Sequence, residues 1–129
     1  MQQHDSLIGP VPACIIEVAR STVTPFEGRV ADFNVAAWLH LPGMTELPVS
    51  LLVNYMDGGQ PREVAVDHGR LNPKGKILLA GIARLPFKQK IELMQVRLRC
   101  AVPIKGLLVD ELFVQAVELA EPAKRQVRA

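Results

Sequence analysis

Apolar and polar residues alternate over short stretches of this chain, and such alternation is typical of half-buried β-strands. In residues 28–41, for example, Phe33 and Val35 fall on one face, whereas Asp32 and Asn34 fall on the other. Breaks rich in glycine and proline separate the stretches, as expected where strands end in turns. The pattern predicts about seven strands, over residues 12–20, 28–41, 48–57, 62–68, 75–85, 89–102 and 107–119.

Two of the breaks have specific turn chemistry. Residues 57–59 (Asp-Gly-Gly) tolerate positive φ, as a tight hairpin requires. Residues 72–75 (Asn-Pro-Lys-Gly) have the residue types of a type I turn. We therefore predict one all-β domain over residues 1–121, an antiparallel β-sandwich that is immunoglobulin-like in strand count, with a small closed β-barrel as the alternative. Residues 122–129 are polar and basic, and we expect a flexible tail there.

Two segments depart from simple alternation. In 89–102 the apolar parity switches partway, and a β-bulge near Leu93 and Met94 would restore it, because one extra residue exchanges the faces of a strand. Segment 107–119 also fits helical spacing. We interpret it as a strand because it follows a four-residue break and is able to pair with 89–102.

The inward parity of the predicted strands defines a candidate core. Its members are aliphatic residues and one phenylalanine, the types that are most often buried. We predict as core residues Ile16, Val18, Phe33, Val35, Leu39, Leu51, Val53, Val64, Val66, Ile77, Leu79, Val96, Leu98 and Val114.

Composition excludes several classes of protein. Of the 129 residues, 49% are hydrophobic, which is incompatible with a mainly disordered chain. No apolar run is long enough for a transmembrane helix, and residues 1–12 do not resemble a secretory signal. Cys14 and Cys100 form an isolated pair, which predicts reduced thiols in a cytoplasmic protein. A disulfide between the first strand and a late one is the alternative.

Charge is unevenly distributed although the net charge is only +2. Residues 1–61 have two basic and six acidic side chains, whereas residues 62–129 have thirteen basic and seven acidic ones. Arg97, Arg99 and Lys105 are candidates for an anion-binding group within the basic half. Phe87 is the one aromatic residue between positions 62 and 105, so the stacking residues of nucleic-acid surfaces are scarce there. We therefore favour a protein partner over a nucleic acid.

No motif in the chain indicates an enzyme. His4, His40 and His68 lie far apart without the spacing of metal ligands, and we predict no metal site and no cofactor. The serines do not belong to a nucleophile elbow, and there is no Walker loop or dinucleotide fingerprint. We therefore predict a non-catalytic protein.

Apolar residues also occur on strand faces that should be polar. Trp38 shares its parity with Asp32 and Asn34, whereas Leu52 and Met56 share theirs with Ser50 and Asn54. If these strands are neighbours, Trp38, Leu52 and Met56 form one interface. Such a patch is typical of an interaction surface. We predict an interaction module that forms a homodimer or binds a partner protein; the alternatives are binding of a small apolar ligand, or of a nucleotide or nucleic acid by the basic face.

Overall fold

The computed structural model describes residues 3–26 and 28–117, which form eight β-strands and one short helix. The predicted tail, residues 122–129, lies outside the described residues. No helix in the described part of the chain could span a membrane. The elements are β1 (His4–Pro10), α1 (Ala13–Glu17), β2 (Ser21–Thr24), β3 (Gly28–His40), β4 (Pro48–Asp57), β5 (Gln60–Arg70), β6 (Lys76–Phe87), β7 (Ile91–Cys100) and β8 (Leu108–Ala116).

The strands form two antiparallel sheets that pack against each other. The first sheet has the order β1-β7-β4-β5. In the second sheet β3 is central, with β6 along one edge and both β2 and β8 along the other. The described strands do not close into a barrel, so the barrel alternative is wrong. The predicted antiparallel β-sandwich is confirmed, with eight strands instead of about seven.

One continuous hydrophobic core lies between the sheets. The Tyr55 side chain extends from β4 across the core, and its hydroxyl donates a 2.7 Å hydrogen bond to the carbonyl oxygen of Pro86 in β6. Val18 follows α1 and is 70% exposed, so its assignment to the core is wrong. The predicted core residues that are buried are Phe33, Val35, Leu39, Leu51, Val53, Leu79, Val96 and Leu98. Those that are partly buried against the core are Ile16, Val64, Val66, Ile77 and Val114.

The bulge predicted in 89–102 is present. Asn54 of β4 pairs with Gln95 of β7, and the next pair is Met56 with Glu92. Between these pairs β4 has one residue, Tyr55, whereas β7 has two, Leu93 and Met94. Leu93 has a φ of 52°, which turns its side chain outward. Met94 then faces the core, and the residues after it keep the inward parity that the simple alternation could not explain.

The N-terminal segment differs from the prediction. The sequence predicts a strand over residues 12–20, but Ala13–Glu17 form the helix α1, with Pro12 as its N-cap, and the first strand lies earlier, at β1. Val11, between two prolines, donates its N–H to the carbonyl of Met94 and enters the core. The helix then packs against β7 and β8. Its five residues are too few for a helical period to be distinguished from a β-branched strand.

Asp57, at the end of β4, holds the connection between β6 and β7, where the chain passes from the second sheet to the first. Its carboxylate accepts backbone hydrogen bonds from Lys88 (2.8 Å), Gln89 (2.8 Å) and Lys90 (3.2 Å). The guanidinium of Arg62 lies 3.1 Å from the same carboxylate. Burial raises the pKa of Asp57, but these donors together lower it below its ordinary value of 3.8.

Candidate functional site

The outer face of the second sheet is apolar at its centre. Trp38 of β3 pairs with Leu78 of β6 and is 48% exposed. Two residues along β3, Ala36 pairs with Phe113 of β8, which is 47% exposed. The outward-facing residues of β6, β3 and β8 thus place several large apolar side chains next to one another, exposed to solvent. We call this surface the apolar face, and it consists of Ala36, Trp38, Leu78, Ala80, Ile82 and Phe113.

A depression of about 290 Å³ lies on the apolar face beside Trp38. It exists because two small outward-facing residues that pair with each other, Ala36 and Ala80, lie between the larger side chains of Ile82 and Phe113. Gly81 lines the depression with its backbone, and an added Cβ would point away from the apolar face, 2.8 Å from the carbonyl oxygen of Val66 in β5.

The rim of the apolar face is polar and balanced in charge. Arg84 of β6 donates two hydrogen bonds to Asp32 of β3, from Nε at 3.1 Å and from Nη2 at 3.2 Å. At the opposite end Lys76 of β6 pairs with His40, and Glu111 of β8 pairs with Trp38. The rim therefore presents both charge signs around an apolar centre, which is the usual anatomy of a protein interface.

The predicted interface of Trp38, Leu52 and Met56 is not assembled. Trp38 lies in the second sheet, whereas Leu52 and Met56 lie on β4 in the first, because the chain crosses between the sheets after β3. Leu52 is only 4% exposed. Its neighbours on the outer face of β4 are Ser50 and Asn54. Ser50 pairs with Arg99 of β7, and Asn54 pairs with Glu63 of β5. The ion pair between Arg99 and Glu63 therefore passes over Leu52.

Arg99, a candidate anion-binding residue, already has two carboxylate partners. Its guanidinium contacts Asp5 of β1 (2.6 and 2.8 Å) and Glu63 of β5 (2.8 Å from two nitrogens). These hydrogen bonds lower the pKa of both carboxyls and raise the pKa of Arg99. The side chain of Arg97 bonds Gln95, and Lys105 lies on the loop after β7. The anion site of Arg97, Arg99 and Lys105 stays a prediction, with Arg99 already neutralised.

Replacing Arg99 by methionine is expected to lower the free energy of unfolding by about 1 kcal/mol at pH 7, because a partly exposed ion-pair network contributes roughly that much. The two carboxyls have lowered pKa values in the folded state, so their contribution is present above their ordinary values of 3.8 and 4.5. It disappears as the pH falls through the folded values. Urea unfolding at pH 7 and pH 3 measures the difference.

Arg97→Met is the matched control for this substitution, since Arg97 lies two residues away on the same face and bonds only Gln95 among the contacts described for it. Its effect is expected to be smaller and less dependent on pH, because the charge of Arg97 lowers the pKa of Asp5 less than Arg99 does. A loss for Arg99→Met that is equally large at pH 3 would contradict the electrostatic explanation.

The histidines, cysteines and the groove at the start of β4 were also candidates for chemistry. An open groove of about 450 Å³ lies beside His68, Ser50 and Arg70, where β4 begins and β5 ends. The Arg70 guanidinium is used there to bind the backbone carbonyl of Glu46. Within residues 3–26 and 28–117, no group of three or more metal-binding side chains comes together. Cys14 is exposed and Cys100 is buried, and both are free thiols, so the disulfide alternative is wrong.

The apolar face was only partly predictable. Trp38 was recognised by its parity, whereas Leu78, Ile82 and Phe113 were missed. A signal was available in β6, where Leu78 and Ile82 share a parity with Lys76 while the opposite parity is also apolar. A strand that is apolar on both parities indicates a covered outer face as well as a core. Comparison with known protein families, curated proteins and solved structures finds no match to this chain.

Proposed function

We propose that this protein is a non-catalytic interaction module that associates with a second copy of itself through the apolar face. The carrying observation is that Trp38, Leu78, Ile82 and Phe113 are all exposed on one sheet surface. A cluster of this kind is uncommon on a monomeric surface unless it binds something. The predicted cytoplasmic location, which the two cysteines of the sequence favour, is part of this proposal.

The rim favours a second copy over an unrelated partner. Arg84 and Asp32 of the rim pair with each other within the protomer, and Lys76 and Glu111 add one group of each sign. A surface built for a strongly charged partner would show one sign. A surface that meets itself needs both signs, because each group in an isologous contact faces a group of the same patch.

The size of the face predicts a weak dimer. The stretch of β3 from Asp32 to His40 is about 30 Å long, and three strands are about 14 Å wide, which gives roughly 400 Å² of flat area. Stable interfaces bury about 800 Å² on each partner. We therefore expect a dissociation constant on the order of several hundred micromolar. Association should be measured at protein concentrations up to that value.

Light scattering coupled to size-exclusion chromatography tests the proposal. The wild type is expected to show a mass that rises towards that of a dimer with concentration. Trp38→Glu is expected to remain a folded monomer at every concentration, because a charge would be buried at the centre of the contact. Circular dichroism verifies that the variant is folded.

Leu7→Glu is the matched control. Leu7 is about as exposed as Trp38 but lies on the outer face of the first sheet, opposite Arg97. The control is expected to dimerise like the wild type. A wild type that stays monomeric at all concentrations, or a control that loses the dimer equally, would contradict the proposal.

A further inference from the structure

We propose, building on the self-association above, that the Trp38 indole of each copy inserts into the depression of the other copy, around a twofold axis. The apolar face contains a large half-exposed side chain, Trp38, and a depression lined by the neighbouring Ala36.

The dimensions of the two features match. The depression measures about 290 Å³. This is more than the roughly 150 Å³ of an enclosed apolar cavity that holds benzene. Because the depression is open towards solvent, an indole would lie in it with one side covered by its own protomer. Trp38 lies two residues along β3 from Ala36, which lines the depression, so the projection and the depression are about 7 Å apart. A twofold axis between them brings each opposite its counterpart.

The depression also offers a partner for the indole N–H. Buried tryptophan normally donates this hydrogen. Asn34 lines the depression, and its carboxamide oxygen is an acceptor on an otherwise apolar wall. Ile82 and Phe113 form the sides that would contact the ring faces. A tryptophan in a closely packed pocket at the centre of a contact is a typical hot spot.

Two variants separate the two halves of the contact. Trp38→Ala removes the projecting side chain and leaves the depression open. Ala80→Leu fills the depression and leaves Trp38 in place; Ala80 is exposed, so the larger side chain does not enter the core. Each variant alone is expected to weaken the homodimer by at least about 30-fold, the effect of losing one hot-spot residue.

Mixing the two variants provides the decisive observation. The chain has a single tryptophan, so ¹⁵N-labelled Ala80→Leu protein gives one indole N–H signal. Adding unlabelled Trp38→Ala protein is expected to shift that signal, because the remaining indole enters the open depression of the other copy. Adding unlabelled Ala80→Leu protein is the control and is expected to leave the signal unchanged.

The outcomes distinguish this inference from the proposed function. A wild type that is monomeric in light scattering overturns both. A dimeric wild type whose Ala80→Leu variant dimerises equally well, or a mixture without an indole shift, overturns the insertion and leaves self-association standing. If Ala80→Leu does not fold, Ala36→Leu fills the same depression from β3 and replaces it in every step.

Discussion

At pH 7 the Asp57→Asn variant is expected to melt on the order of 10 °C below the wild type, because a carboxylate that serves three backbone donors is replaced by a group with one acceptor oxygen. The side chain is 3% exposed, so water cannot replace the lost acceptor. The amide also loses the attraction of Arg62, which lies 3.1 Å from the carboxylate. Thermal unfolding followed by circular dichroism measures the change.

The pH dependence identifies the cause. The folded-state pKa of Asp57 lies below its ordinary value of 3.8. The stability that its ionised form contributes is therefore fully present above that value and is lost as the pH falls through the folded pKa. The difference in melting temperature between the wild type and Asp57→Asn should therefore become smaller below about pH 4. Asp110→Asn, which makes the same change at an exposed position of β8, is the control and should have little effect. A gap of constant size down to pH 3 would show that charge is not the cause.

Gly75→Ala is expected to lower the free energy of unfolding by about 3 kcal/mol, through backbone strain and overpacking together. Gly75 has a φ of 76°, which residues with a side chain rarely adopt. An added Cβ would lie 2.5 Å from the carbonyl oxygen of Leu41 and 2.7 Å from that of Met44. Both obstacles are backbone atoms, so they cannot move aside as a side chain would. Urea unfolding at neutral pH gives the value.

Gly43→Ala separates the two contributions. Gly43 has a φ of 80° and lies on the loop that Gly75 contacts, but no atom lies within 4 Å of the position of its Cβ. Gly43→Ala is expected to lower the free energy of unfolding by about 1 kcal/mol, from backbone strain alone. Equal losses for the two variants would mean that the clash with the loop carbonyls contributes nothing.

Features that depend on neighbours in the sequence were predictable. The bulge at Leu93 and Met94 follows from a switch of apolar parity within one strand. The turn at Asn72 follows from its residue types, and in the structure its side-chain oxygen accepts the N–H groups of Lys74 and Lys76. For the bulge and the turn the determining contacts are local. The strand interpretation of 107–119 is also confirmed, as β8, but the expected pairing with 89–102 is wrong, because β8 pairs with the distant β3 in the other sheet.

Features that depend on which strands meet were not predictable. The depression combines Ala36 of β3 with Ala80 of β6, and Phe113 comes from a third strand. No periodicity states that these strands are neighbours, and the same uncertainty led to the pairing of Trp38 with Leu52. The burial of Asp57 is a further example, because its donors, Lys88 to Lys90, belong to a turn that is distant in the sequence.

The pairing of β1 with β7 has a consequence for how the chain acquires its fold during synthesis. Asp5 bonds Arg99, which is 94 residues further along. The first strand therefore has no partner until the seventh has left the ribosome, and a topology rich in such distant contacts folds in milliseconds to seconds instead of microseconds. Until then the nascent chain carries an open strand edge, the kind of surface that chaperones shield from aggregation. Completion of the first sheet is thus a late event in the folding of this chain.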